Sequence, residues 1–149
     1  MTGVFNPEIV VPAVPGALSP DDTGLTPEQR GFTVALRRQY RIHCEAMACG
    51  DVERLLSFFT EDAVWMGSGW PTRCGKGDLR ALFQQVAGTA EVRCESLCAC
   101  VSGSAGWNFV DYFVHPKDPA VTPWVFRTVF AWIHRDAQWV CNGVLCYTR

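Results

Sequence analysis

The chain has 149 residues, enough for one domain with a core of its own. Nearly half of it is hydrophobic (48%), it carries six Trp and nine Phe, and its formal net charge is −2 with no basic stripe, so no nucleic-acid partner is expected. Met1 to Pro20 lack a basic start followed by a long apolar run, and no apolar run reaches membrane-spanning length. Neither secretion nor a membrane partner is therefore expected, and the cytoplasm is the default location.

The first residues are rich in turn formers: Pro7, Pro12, Pro15, Pro20, Asp21 and Asp22. They predict an extended arm over residues 1–25, set before a single domain over 26–149. Thr26-Pro27-Glu28-Gln29 reads as a helix start. Thr26 can cap, Pro27 fits the first turn and Gln29 completes a capping box. That helix is predicted to run to about Cys49, with Phe32, Leu36, Tyr40, His43 and Met47 on one stripe. Arg37, Arg38 and Arg41 on the same helix read as a solvated face. Gly50 suits a left-handed helix end and Asp51 can cap the next, short helix. Glu61-Asp62 is expected to be a turn, and Ala63-Val64-Trp65 to begin a strand. Gly67 to Thr72 is expected to be a loop. A third helix follows Gly75, faces inward with Leu79, Leu82, Phe83 and Val86, and ends at Gly88.

From Glu91 the period changes. Residues Val92–Val101, Trp107–His115, Trp124–Arg135 and Gln138–Tyr147 predict four strands. Helices first and strands afterwards give an α+β class with an antiparallel sheet.

Eight cysteines stand at 44, 49, 74, 94, 98, 100, 141 and 146. In a cytoplasmic protein they are expected to be reduced thiols acting as small apolar fillers. Strand alternation would turn Cys94, Cys98 and Cys100 to one face. Their separation is nonetheless too long for one tetrahedral ion, and no closely spaced His follows, so no metal is expected. No motif points to a cofactor.

Helix, Gly50, Asp51, short helix and the Asp62-Ala63-Val64-Trp65 strand together resemble the front half of the nuclear transport factor 2-like (NTF2-like) superfamily. SnoaL-type polyketide cyclases and ketosteroid isomerases belong there. The resemblance implies a cone: a strongly curved sheet wrapped around three N-terminal helices, with an apolar cavity inside. It also implies a homodimer through the outer sheet face. Many functions are grafted on this scaffold, so it names no single reaction.

Carried over residue by residue, the isomerase pattern is broken. The position of the family's general base falls on Gly67. The place of its oxyanion-binding tyrosine is His43, and its second carboxylate falls near Val129. The standard isomerase mechanism is therefore not expected.

The remaining catalytic candidates are His43 as general acid/base with its pKa near working pH, Arg127 to hold a carbonyl or enolate oxygen, and Asp111 to orient Arg127 or transfer a second proton. On strand 107–115 the odd positions carry Asp111 and the even positions carry Tyr112, and the sequence leaves open which set lines the cavity. Tyr40 is expected to donate at the rim. Trp65, Trp70 and Trp124 are read as an aromatic wall, and Asn142 with Cys146 as residues of one strand parity facing the ligand. Each also has a structural reading: core histidine, ion pair, backbone-satisfying amide, packed ring. The expectation is a SnoaL-like enzyme that moves a proton on a small hydrophobic cyclic molecule by isomerisation, dehydration or ring closure. The alternatives are a non-catalytic binding protein of the same fold and a structural subunit of a larger enzyme.

Overall fold

The computed structural model describes residues 24–148. The expected arm thus lies outside the described residues, apart from Gly24 and Leu25.

Helix α1 (Pro27–Cys49) starts on the expected capping box: Thr26 Oγ1 accepts from the Gln29 N–H, and the Gln29 side chain accepts from the Thr26 N–H at 2.9 Å. It ends at Gly50, with φ 79°, whose N–H donates to the Ala46 carbonyl. Asp51 caps α2 (Val52–Leu56), accepting from the Arg54 N–H at 3.0 Å. Glycine is favoured at the α1 end because the backbone is left-handed there, and Gly50 packs against Gly88. Gly88 N–H in turn donates to the Met47 carbonyl at 2.7 Å. This close approach fixes where α1 ends relative to α3 (Gly75–Val86).

Strand β1 (Phe59–Gly67) begins at Phe59 rather than at Ala63. Glu61 and Asp62 are not a turn. They sit where the β1 register slips between Phe59 and Val64, and both face solvent. The expected loop contains a further strand, β2 (Trp70–Cys74), paired antiparallel with β1. Pro71 is tolerated there because β2 lies at the sheet edge. The last four strands fall close to the expected spans: β3 (Ala90–Ser102), β4 (Ala105–Pro116), β5 (Trp124–Arg135) and β6 (Gln138–Thr148).

The fold is the expected α+β cone, a curved sheet of order β2-β1-β6-β5-β4-β3 that does not close on itself. One seam differs from expectation. β1 pairs with β6 in parallel, while the other seams are antiparallel, so the sheet is mixed. A parallel seam needs a long crossover, and every other strand lies in the chain between β1 and β6.

The stripe of α1 packs into the concave face. Phe32, Leu36, Tyr40, His43 and Met47 are all buried. The rings of Tyr40, Phe58, Phe130 and Trp132 touch pairwise, with centroids 4.9–6.2 Å apart.

Several strand pairs shift register, and the bulges in β3 and β6 change which side chains share a face. In β3 the pairing passes from Ser96↔Val110 to Cys98↔Phe109, leaving Leu97 over. In β6 it passes from Ala131↔Gly143 to Trp132↔Cys141, leaving Asn142 over. An extra residue reverses which face the following side chains take. Cys98 therefore does not share a face with Cys94, contrary to the reading from alternation. Among the described residues no cluster of His, Cys, Asp and Glu is placed to hold a metal ion. No helix among them is long and apolar enough to cross a membrane.

On β4 and β5, Asp111 and Arg127 are direct cross-strand partners. Arg127 Nε donates to Asp111 Oδ1 at 2.8 Å and Nη2 to Oδ2 at 3.0 Å, a two-point pair with both side chains largely covered. Breaking a covered pair from one side strands the other charge. Arg127→Met and Asp111→Asn are each expected to cost about 2 kcal/mol, and the double variant clearly less than their sum. Urea unfolding of the three variants checks this. Additive losses would mean that the two side chains do not depend on each other.

Candidate functional site

Inside the cone, between α1, α3 and the sheet, lies a cavity of about 180 Å³. Its position follows from the side chains around it. The N-terminal part of the α1 stripe is met by Phe58, Phe130 and Trp132, which fill the space. One turn further on, His43 still touches Phe58, with ring centroids 4.9 Å apart, and with Met47 it lines the opening. Phe83 and Val86 of α3 form a second wall. Tyr112 and Val114 of β4, Phe126 and Thr128 of β5, and Val144 and Cys146 of β6 form the third. Trp65 and Trp70 meet edge to face with centroids 6.2 Å apart, and Trp124 lies further along the wall. Trp70 and Trp124 are 47% and 39% exposed, which puts them at the mouth.

The lining is mostly apolar, and its polar side chains include His43, Tyr112, Thr89 and Thr128. No Asp, Glu, Lys or Arg is among the lining residues. His43 Nε2 and Tyr112 Oη lie 2.9 Å apart. His43 Nδ1 is buried and has no hydrogen-bond partner. Burial pushes the imidazole down to about 4, because the charged form has no water or counter-ion to replace what it loses. Burial also pushes the Tyr112 hydroxyl well above its ordinary value. Both groups are therefore neutral at neutral pH. This corrects the expectation of a His43 that titrates near working pH: an exposed imidazole would do so, and this one is 4% exposed.

The structure gathers His43, Tyr112, Trp65, Trp70 and Cys146 around one cavity, and leaves the other candidates elsewhere. Tyr112 settles the question of faces on β4. With Tyr112 and Val114 inward, Asp111 must point outward, and Arg127 follows it on β5 between inward Phe126 and Thr128. The Asp111–Arg127 pair is thus on the outer face of the sheet. Tyr40 is not at the rim. It lies a turn deeper than His43, is buried, and donates to Asn108 Oδ1 at 2.5 Å. Asn142 is the bulge residue of β6, so it leaves the parity of Val144 and Cys146. Its amide donates to Thr60 Oγ1 at 3.0 Å and to Asp62 Oδ1 at 3.3 Å.

Two features escaped the sequence. Asn108 is wholly buried. It accepts from Tyr40 and donates to Ser96 Oγ and the Cys98 carbonyl, each at 2.7 Å, which anchors the cavity floor. Thr128 was missed as a lining residue. Strand parity would have found both once Tyr112 was known to face in.

Residues 40–142 match the SnoaL-like domain family. The chain belongs to that family. Solved structures agree on the fold. A ketosteroid isomerase-like protein from Erwinia carotovora atroseptica SCRI1043 is 18% identical, with a TM-score of 0.64 over 77% of this chain and 94% of its own. A putative dehydratase from the NTF2-like family of Streptomyces avermitilis is 13% identical, with a TM-score of 0.69 over 80% and 97%. An NTF2-like protein with a cystatin-like fold from Novosphingobium aromaticivorans is 15% identical, with a TM-score of 0.68 over 77% and 80%. No curated protein matches by sequence. At these identities the likeness is one of fold. This SnoaL-like domain therefore takes its superfamily from the comparisons and its chemistry from its own cavity.

Burial of His43 makes stability depend on pH with a definite sign. The unfolded imidazole takes up a proton below about 6.5, while the folded one resists until about 4. Below pH 6.5 the unfolded state binds more protons, so stability is complete above that pH and is lost as pH falls toward 4. The loss is about 3 kcal/mol at most by the size of the shift. His43→Phe should remove this slope between pH 6.5 and 4. Urea midpoints across that range measure it, and an unchanged slope in the variant would assign it to other groups.

Proposed function

We propose that this SnoaL-like domain is an enzyme that moves a proton on a small, neutral, mostly apolar cyclic molecule, with His43 and Tyr112 as its catalytic pair. The observation that carries the reading is the contact between His43 and Tyr112 in a cavity without charged residues. A charged ligand would lose its hydration there and find no counter-ion. A neutral ring compound with one oxygen suits it: the ring against Phe83, Phe126 and the tryptophans, the oxygen at Tyr112.

The Tyr112 hydroxyl is the atom placed to meet that oxygen. Toward a carbonyl it donates and stabilises the charge that grows on enolisation. Toward a hydroxyl it can take up a proton while passing its own to His43 Nε2, 2.9 Å behind it. The imidazole must be neutral to accept, and burial keeps it so. A base whose conjugate acid has a pKa of about 4 is weak. It serves protons that are already acidic, such as those on a carbon flanked by a carbonyl and an aromatic ring. Isomerisation, dehydration and ring closure through an enol all fall in that class.

A second reading has an observation of its own. The family's base position is Gly67, and no carboxylate lines the cavity. A binding protein that turns nothing over would look the same. One probe separates the two: 2-tetralone, a neutral bicyclic ketone with an acidic benzylic position, followed by tryptophan quenching for binding and by NMR in D₂O for hydrogen exchange. Catalysis predicts faster exchange in the presence of protein. Tyr112→Phe should then lower that rate by about 100-fold while changing affinity far less. Quenching without any acceleration would favour the binding protein.

A homodimer through the outer sheet face belongs to the same reading. Trp107, Leu145 and Tyr147 alternate with inward residues and stand 40–51% exposed on that face. Light scattering should give twice the chain mass, and Leu145→Arg should shift it toward the monomer.

A further inference from the structure

The cysteines of the chain are not equivalent. Cys49, Cys74 and Cys100 are exposed, and Cys98, Cys141 and Cys146 are buried. Cys44 and Cys94 are both half-buried, and their sulfurs lie 3.9 Å apart. They come from distant parts of the chain, Cys44 from α1 and Cys94 from β3. Cys44 directly follows His43, and Cys94 is the cross-strand partner of Tyr112. The two thiols thus back the contact between His43 and Tyr112 without forming part of the cavity lining.

We propose that Cys44 and Cys94 form a reversible dithiol–disulfide couple that ties α1 to β3 behind His43 and Tyr112, with a hydroperoxide as oxidant. Their separation is thiol–thiol contact distance, and a bond requires the sulfurs to close to about 2.05 Å. The two sites differ in a way that assigns roles. Cys44 is the more open of the pair, and a hydrogen bond from Cys94 favours its thiolate. The neighbouring Cys44 and burial hold the Cys94 thiol protonated. Cys44, the more open of the two, is assigned as the attacking sulfur and Cys94 as the resolving one.

The step balances. The Cys44 thiolate attacks one peroxide oxygen, the O–O bond breaks, and the other oxygen leaves as an alcohol, or as water from hydrogen peroxide. Cys44 is then a sulfenic acid. The Cys94 sulfur attacks the Cys44 sulfur, the S–S bond forms, and the S–O bond breaks. The hydroxide leaves with the Cys94 proton as water. Two electrons pass from the two sulfurs to the peroxide. Closing the bond locks the helix that carries His43 to the strand paired with Tyr112.

The experiment uses the full chain. Purified protein is exposed to graded hydrogen peroxide, denatured, alkylated with iodoacetamide and mapped by mass spectrometry. Two of the eight thiols should stop reacting before the rest, with a linked peptide joining Cys44 to Cys94, and dithiothreitol should restore both. In Cys94→Ser the link cannot form, and dimedone should trap a sulfenic acid at Cys44. Cys44→Ser should leave Cys94 unmodified at the same dose. Oxidation confined to Cys49, Cys74 and Cys100, or a first link between any other two cysteines, would overturn the proposal.

Discussion

The cavity exists because one aromatic cluster stops where it does. Tyr40, Phe58, Phe130 and Trp132 tie α1, the turn before β1 and the middle of β5 into a single packed block. Rings at these separations and tilted angles add to what their burial already contributes. Tyr40 could not sit in that block with its hydroxyl unpaired, and Asn108 answers it from the neighbouring strand. Asn108 is in turn held by Ser96 and the Cys98 carbonyl. The block fixes the depth of α1 in the cone. One turn further along the helix the same stripe continues with His43 and Met47, but the sheet has curved away. The space left between helix and sheet is the cavity.

Much of this architecture was legible in the chain. The Thr26 capping box, the Gly50–Asp51 break and the alternating runs after Glu91 each have a local cause, so sequence alone predicted those elements. What escaped were features set by partners rather than by neighbours. β2 looks like a loop because Pro71 and Gly69 are turn formers, and it becomes a strand only because β1 offers an edge. The bulges at Leu97 and Asn142 are invisible in an alternating pattern, yet each reverses a parity. That is why Cys98 parts from Cys94 and Asn142 from Cys146. Asp111 and Arg127 pair as the sequence suggested, and the pair stands on the face of β4 and β5 away from the cavity. Tyr112, the residue that shares the corner with His43, is the one whose face the sequence left open.

Electrostatics then follows from placement. The cone keeps its charged pairs outside: Asp111 with Arg127 on the outer face, Glu53 with Arg80 and Lys76 with Glu61 at the surface. Inside, burial drives the His43 imidazole down and the Tyr40 and Tyr112 phenols and the Cys141 and Cys146 thiols up, each toward its neutral form. A cavity of this kind discriminates by charge before it discriminates by shape, since desolvating an ion costs more than any fit of rings returns.

At Gly67, where the resemblance to the isomerases would put a carboxylate, Trp65 leaves no room for one. A Cβ at Gly67 would come to 3.0 Å from both Trp65 Cη2 and Cys146 Sγ. The indole and the thiol already occupy the space that a longer side chain would need. Placing an acid there would force the tryptophan wall aside, and the acid would enter a lining with no charged partner. The β1 wall is therefore a surface for packing a ring, and His43 and Tyr112 stand across the cavity on α1 and β4. Whatever chemistry the domain performs has to be drawn from that side.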